Sequence, residues 1–176
     1  MIKKILIALA ALLVLFLIVV ATRPSGFKVE RSASIAAPPA TVFEQVNDFH
    51  AWAAWNPWGK LDPNMKQSYE GPASGVGAVY HWAGNNQVGE GRMTILESRP
   101  NELVKIQLDF YKPFAGTSIA EFSFKPEGER TLVTWSMSGK NNFIAKAMGL
   151  VMNMDQMIGG QFEKGLAEIK TLSEKK

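Results

Sequence analysis

The sequence predicts an α+β fold in which a curved antiparallel sheet of about seven strands packs around a long C-terminal helix, preceded by one N-terminal transmembrane helix. Three observations predict this fold. The N-terminal segment is an unbroken apolar run, and short runs of alternating apolar residues follow it. From about Gly139 to Leu172 the apolar spacing then changes from two to near four, which is the period of a helix.

The N-terminal apolar run extends from Ile5 to Ala21 and follows two basic residues, Lys3 and Lys4. Its 17 residues are at the short end of the length that crosses a bilayer as a helix. A cleaved signal peptide is the alternative, because residues 19–21 weakly resemble a cleavage site. The length of the apolar core favours an uncleaved anchor.

The charges that flank this run predict its orientation. Lys3 and Lys4 favour a cytoplasmic N-terminus, whereas Arg23 and Lys28 oppose that orientation. We therefore expect a single-pass protein of the plasma (inner) membrane, with the rest of the chain on the extracytoplasmic side.

The rest of the chain has the length of one domain, residues 27–176, after a linker at 23–26 and the anchor or signal peptide at 1–22. The three basic residues before residue 27 account for the whole net charge of +3, since removing them from the 19 Lys and Arg leaves as many as the 16 Asp and Glu. A domain without excess positive charge is not expected to bind nucleic acid. The absence of cysteine excludes disulfides, thiolate metal sites and a cysteine nucleophile.

Alternating apolar and polar residues predict the strands. In the clearest one, Val104, Ile106 and Leu108 alternate with polar residues, as in an antiparallel sheet with one apolar and one polar face. Hairpin turns are predicted at residues 84–87 and 126–130. The predicted strands are Phe27–Ala36, Met65–Tyr69, Gly77–Ala83, Val88–Ser98, Leu103–Tyr111, Ser118–Lys125 and Thr131–Ser138.

A short helix is predicted at Ala40–Asn47, directly after two prolines that suit a helix start. Trp52, Trp55 and Trp58 follow within seven residues. Because so much aromatic area seldom stays in water, we expect two of these tryptophans to plug the gap between helix and sheet. The alternative is that they form the wall of a ligand site.

The final helix is predicted from one apolar stripe and is expected to cover the apolar face of the sheet. Four glycines weaken the helix, so a bend or break is expected between Met148 and Gly160. Its methionines are interpreted as core residues, or alternatively as the lining of an adaptable cavity. The stripe consists of Ala147, Val151, Met154, Ile158, Phe162, Leu166, Ile169 and Leu172.

Several short motifs together resemble the START-like, helix-grip superfamily (SRPBCC) of polyketide cyclase/dehydrase and lipid-transport proteins. They are Ala37-Pro38-Pro39 with Val42-Phe43, Asp48 with Trp52 and Trp55-Asn56-Pro57-Trp58, Gly75-Val76-Gly77, Trp82, Gly89-Glu90-Gly91-Arg92-Met93, Pro100, Pro113-Phe114 and Thr131-Leu132-Val133-Thr134-Trp135. The resemblance covers about residues 27–172. It implies the helix-grip fold, whereas the ligands and activities of such proteins differ widely.

Few residues are candidates for chemistry. His50 and His81 are the only histidines, and both are expected at the surface without a catalytic or metal-binding role. The acids Glu90, Asp109 and Glu121 are expected to form cross-strand ion pairs, the alternative being a buried acid poised for proton transfer. Glycines near strands are expected to mark bulges or close approaches. No catalytic residue, metal site or cofactor is predicted.

The favoured function is binding of a hydrophobic small molecule or lipid in a cavity between the sheet and the C-terminal helix. The alternatives are a membrane-tethered interaction or structural domain with a filled core, and a polyketide cyclase/dehydratase-like enzyme. The expected partners are that ligand and, through residues 5–21, a membrane. The predicted ligand-binding residues are Trp55, Tyr80, Trp82, Ile106, Leu108, Phe110, Phe122, Trp135, Met137, Met148 and Met152.

Overall fold

The computed structural model describes residues 1–175, which form one seven-stranded antiparallel sheet and five α-helices. This arrangement confirms the predicted α+β fold. In chain order the elements are α1 (Ile2–Thr22), β1 (Gly26–Ile35), α2 (Pro39–Asn47), α3 (Trp52–Trp55), a 3-10 turn (Pro57–Lys60), β2 (Lys66–Glu70), β3 (Val79–Ala83), β4 (Glu90–Arg99), β5 (Leu103–Lys112), β6 (Gly116–Glu127), β7 (Arg130–Lys140), α4 (Phe143–Met148) and α5 (Met154–Ser173).

The N-terminal helix α1 is long and apolar enough to cross a membrane, a property that a signal sequence shares. Most of its side chains are exposed. Val20 is fully buried, near the end of the helix that precedes β1, and α1 packs against α4. Only residues 23–25 separate α1 from β1.

The sheet has the order β1-β7-β6-β5-β4-β3-β2, so β2 to β7 form a meander of neighbouring strands. The first strand returns to pair with the last one, with Phe27 opposite Gly139. Between β6 and β7 the two-residue turn begins with Gly128, whose φ of 64° suits a hairpin turn that needs positive φ. The hairpin predicted at this position is confirmed.

The core lies between the inner face of the sheet and a layer made of α2, α3 and α5. Trp52 and Trp55 are buried in this core and Trp58 is half-buried, which confirms that two of the three tryptophans plug the gap. Their indole N–H groups are satisfied because Trp52 donates to the carbonyl oxygen of Val46 and Trp55 to that of Gln45. Trp52 and Trp55 therefore bring no unpaired N–H group into the core.

The predicted single helix from Gly139 to Leu172 is wrong in its first part. Strand β7 continues to Lys140, and a turn then separates α4 from α5. The predicted break between Met148 and Gly160 is thereby confirmed. The new helix starts at Asn153, whose side chain accepts a hydrogen bond from the backbone N–H of Gln156, as an N-cap does.

The break changes the helical phase, so the apolar stripe holds only in α5. Phe162, Leu166 and Ile169 are buried as predicted. Val151 and Met154, upstream of them in the predicted stripe, are exposed instead. The stripe was wrong there because the turn residues no longer follow the 3.6-residue period that places side chains on one face.

Candidate ligand-binding site

The inner face of the sheet becomes less buried toward one end. We call this the α1 end: it is the end where β1 and β6 begin and where β5 and β7 finish. On β5, Val104 and Ile106 are fully buried, whereas Leu108 and Phe110, next on the same face, are only half-buried. The inner face of β5 is therefore fully covered along its first half and only partly covered along its second half.

Farther from the α1 end, in the middle of β6 and β7, the space between sheet and helix is filled by aromatic rings. The ring of Trp135 stacks on Phe162 of α5 at 4.0 Å between centroids and on Phe122 of β6 at 4.6 Å. Trp55 meets Trp135 edge-on at 5.7 Å. Offset and edge-on contacts of this kind bury large apolar areas and leave little room between the rings. We call this part of the space between the sheet and α5 the closed half.

The first half of α5 lies over β1, at the edge of the sheet, and α5 contacts β1 more extensively than any other strand. Arg31 holds it there from the inner side of β1. Its Nε donates to Oε1 of Glu163 at 2.7 Å, and its Nη2 donates to Oδ2 of Asp155 at 2.9 Å. Gly159 makes room for this guanidinium, because a Cβ at that position would collide with it.

The same ion pairs shift the pKa values of the groups involved. The hydrogen bond from Arg31 lowers the pKa of Asp155 below its ordinary value, and the bonds to Asp155 and Glu163 raise the pKa of Arg31. On the inner face of β5, Leu108 and Phe110 pack against the core but are only half-buried. We call the part of the space between the sheet and α5 that lies over Leu108 and Phe110 the open half.

Two cavities lie outside the closed half, one at the surface and one beside the core. The larger one, about 570 Å³, lies between the linker after α1, α4 and the turn before α5, and we call it the linker groove. Its volume is in the range of ligand pockets, about 300–1,000 Å³. It is lined by Arg23, Pro24, Asn141, Ala145, Lys146, Gly149, Leu150, Val151, Met152, Asn153 and Met154.

The smaller cavity has a volume of about 150 Å³ and lies under α3. This volume is below the range of ligand pockets. Tyr80 is on its wall, and burial raises the pKa of the Tyr80 hydroxyl, which keeps that group neutral. The full lining is Phe49, Trp52, Ala53, Asn56, Gly59, Lys60, Met65, Gln67 and Tyr80.

The structure places the predicted ligand-binding residues in three groups. Trp55, Ile106, Phe122 and Trp135 are fully buried in the closed half. A second group lies on the inner face, nearer the smaller cavity and the open half, and the ring centroids of its Trp82 and Phe110 are 5.8 Å apart. This group consists of Tyr80, Trp82, Leu108, Phe110 and Met137.

The third group is the methionine pair of α4 and its following turn, Met148 and Met152, both half-buried. Met152 lines the linker groove, and the described lining of this groove includes none of the predicted residues from the sheet. The prediction missed this separation because it put both methionines on one widened apolar face, although it expected a break after Met148.

Sequence reasoning also missed the role of Arg31. A signal was available, because Arg31 shares the inward phase of Phe27 and Val29 in the alternation of β1. A cation on an apolar face must find acidic partners, and Asp155 and Glu163 on α5 supply them.

The titratable groups of the outer face form the predicted cross-strand pairs. Asp109 accepts from Nη2 of Arg92 at 3.1 Å, and Glu121 lies 2.8 Å from Nζ of Lys105. Burial alone would raise the pKa of Asp109, but hydrogen bonds from Gln107, Thr117 and Arg92 outweigh it and lower that pKa. An acid held in its charged form is not poised to donate a proton at neutral pH.

His50 lies at the surface, as predicted, whereas His81 is half-buried and its Nε2 is a buried atom. Nδ1 of His50 is 2.9 Å from the carboxylate of Asp48, and the imidazole stacks on Tyr69 at 4.1 Å. Nε2 of His81 lies 3.4 Å from Oε1 of Glu70. Within residues 1–175, no group of three or more His, Asp or Glu side chains is arranged to hold a metal ion.

Comparison with known proteins gives one family. The family model described as "Polyketide cyclase / dehydrase and lipid transport" matches residues 26–174. No curated protein sequence matches the chain.

Several solved structures share the fold. Protein CV1439 from Chromobacterium violaceum is 15% identical with a TM-score of 0.62, over 85% of this chain and 98% of that one. The Aha1 dimer from Colwellia psychrerythraea is 16% identical with a TM-score of 0.61, over 84% and 96%. The di-domain ARO/CYC BexL from the BE-7585A biosynthetic pathway is 14% identical with a TM-score of 0.62, over 90% of this chain and 53% of that one. At such identities the likeness establishes the fold alone.

Proposed function

The chain belongs to the polyketide cyclase / dehydrase and lipid transport family, whose fold is capable of binding hydrophobic ligands, and from this premise we propose that it is a membrane-tethered binder of a hydrophobic small molecule or lipid. In this proposal α1 is the tether and the helix-grip domain holds the ligand between its sheet and its C-terminal helices.

The uncovered inner face of β5 is the observation that carries the proposal. Leu108 and Phe110 continue the apolar row of Val104 and Ile106, yet they remain half-buried. Apolar side chains of this size gain about 1.5–3 kcal/mol each from full burial. A hydrophobic ligand in the open half would provide that burial where the protein itself does not.

The closed half limits where the ligand can lie. Because Trp135, Phe122 and Phe162 stack tightly, we place the ligand in the open half, with Leu108 and Phe110 on its floor. Of the predicted residues, those of the closed half then support the site without touching the ligand.

The tether is supported by the length and composition of α1 and by its three-residue connection to β1. Lys3 and Lys4 at its start favour the extracytoplasmic side for the domain. We expect the full chain to stay with the membrane after washing with high salt and carbonate. A mature N-terminus at Thr22 would instead identify α1 as a cleaved signal peptide.

The binding test uses apolar fluorescent probes on residues 24–176. We expect a probe to bind, to change tryptophan fluorescence and to raise the melting temperature by mass action. Leu108→Trp fills the open half and abolishes both effects. The matched control is Leu96→Trp, which adds the same volume at an exposed leucine and leaves binding unchanged.

The stacked rings of the closed half favour a second candidate function, a membrane-tethered interaction domain whose core is filled. The same test separates the two. If no apolar probe binds the unmodified domain and no lipid is retained in native mass spectrometry, the binding proposal fails and the interaction domain takes its place.

A further inference from the structure

We propose that the α1 end of the domain docks on the lipid bilayer, with Phe143 and Ile144 of α4 and Val151 of the following turn entering the interface between lipid and water. The inference rests on the proposed membrane tether and adds a second, peripheral contact with the same membrane. It also gives the domain a fixed orientation on that membrane.

The chain connection holds the α1 end near the bilayer. Residues 23–25 join α1 to β1, and three residues extend at most about 10 Å. Helix α4 follows β7 at this same end and packs against α1, where Val20 is fully buried. A membrane-spanning α1 therefore brings α4 to the level at which α1 leaves the lipid.

The apolar side chains that this end exposes suit that position. Phe143 and Ile144 are about half exposed, and Val151 is 85% exposed. The turn between β5 and β6 carries exposed Phe114 at the same end of the sheet. Large apolar residues gathered at one end of a domain mark an interaction site, and their nearness to α1 makes lipid the partner.

The opposite end of the sheet has a different surface. Its turns present charged side chains such as Arg99, Glu102 and Glu129, and Val76 is its exposed apolar residue, at 60%. The two ends therefore differ in the way that a membrane-facing and a water-facing surface differ.

The charges at the α1 end complement anionic lipid headgroups. Arg23 and Lys146 line the linker groove beside Val151, and Lys140 ends the strand that leads to α4. Each basic residue near an anionic surface adds to the electrostatic attraction. Docking would also turn the open half toward the lipid, so that a hydrophobic ligand enters from the bilayer without crossing water.

The test measures how deeply single positions reach into lipid. The chain contains no cysteine, so Val151→Cys, Val76→Cys and Leu12→Cys each provide one site for an environment-sensitive fluorophore. Each labelled full-length protein is reconstituted into vesicles of phosphatidylcholine and phosphatidylglycerol, with and without brominated lipid as a quencher. Val151 and Val76 are matched, because both are exposed valines at opposite ends of the domain.

We expect brominated lipid to quench the label at residue 151 several-fold more than the label at residue 76. Equal quenching at these two positions would overturn the docking proposal. The label at residue 12 reports the tether separately: strong quenching at 12 with none at 151 overturns docking and leaves the tether intact. Quenching at 151 without quenching at 12 supports docking and contradicts the proposal that α1 is a membrane tether. Failure of ligand binding appears only in the probe assay described above.

Discussion

The two halves of α5 both carry apolar residues at helical spacing, but their surroundings differ. From Phe162 to Ser173 the helix presents buried residues at helical spacing to the aromatic rings of the sheet. From Met154 to Gly160 it carries methionines and isoleucine at similar spacing, yet Met154 and Met157 remain exposed. Helical spacing therefore identifies a helix, whereas burial depends on what lies opposite to it.

Ion pairs at the edge of the sheet fix the position of the helix. Arg31 binds Asp155 in the first half and Glu163 in the second, and so holds α5 over β1. The second half lies against Trp135, whose indole stacks on Phe162. Polar contacts thus hold the helix at the edge strand, and the partly uncovered apolar surface of β5 is the proposed ligand site.

The largest expected effect comes from removing a side chain in the closed half. Phe162→Ala takes away a buried ring stacked on Trp135, so we expect a loss of about 3–5 kcal/mol in the free energy of unfolding. Met157→Ala in the exposed part of the helix should change it by less than about 0.5 kcal/mol. Urea denaturation of both variants measures the difference, and equal losses would show that the two halves are packed alike.

A smaller effect is expected where the helix approaches Arg31. Gly159→Ala introduces a methyl group that collides with the guanidinium, so we expect a destabilisation of about 1–3 kcal/mol. Gly160→Ala points into open space and should stabilise the helix by about 0.5–1 kcal/mol. Stability changes of opposite sign at these neighbouring glycines, measured by thermal denaturation, would show that the two sides of the helix have different surroundings. A stabilising Gly159→Ala would contradict the position of Arg31.

The smallest effect is a pH dependence. The pKa of Asp155 is lowered in the folded state, so its contribution to stability is present above the ordinary pKa of aspartate and is lost as the pH falls through the lowered value. We expect Asp155→Asn to be less stable than the unmodified protein at neutral pH, with the gap closing in acid. A gap of constant size from neutral pH to about pH 2 would contradict this linkage.

The fold followed from local patterns because alternation and helical spacing are properties of neighbouring residues. The phase of Tyr80 and Trp82 and the burial of two of the three clustered tryptophans were predicted correctly for this reason. The filled closed half was not predicted, since stacking of Trp135 on Phe162 depends on distances between elements far apart in the chain. The position of Met152 in the linker groove depended on a turn that helical spacing alone did not locate.

Because the first strand pairs with the last one, the sheet can be completed only after β7 has been synthesised. Strands β2 to β7 pair with their neighbours along the chain and can assemble as they emerge, but β1 finds its partner only after β7 has been made. Until then β1 stays unpaired beside α1, and β6 presents a free edge. A chain released before residue 140 would leave β1 without its full partner, and unpaired strand edges of this kind promote aggregation.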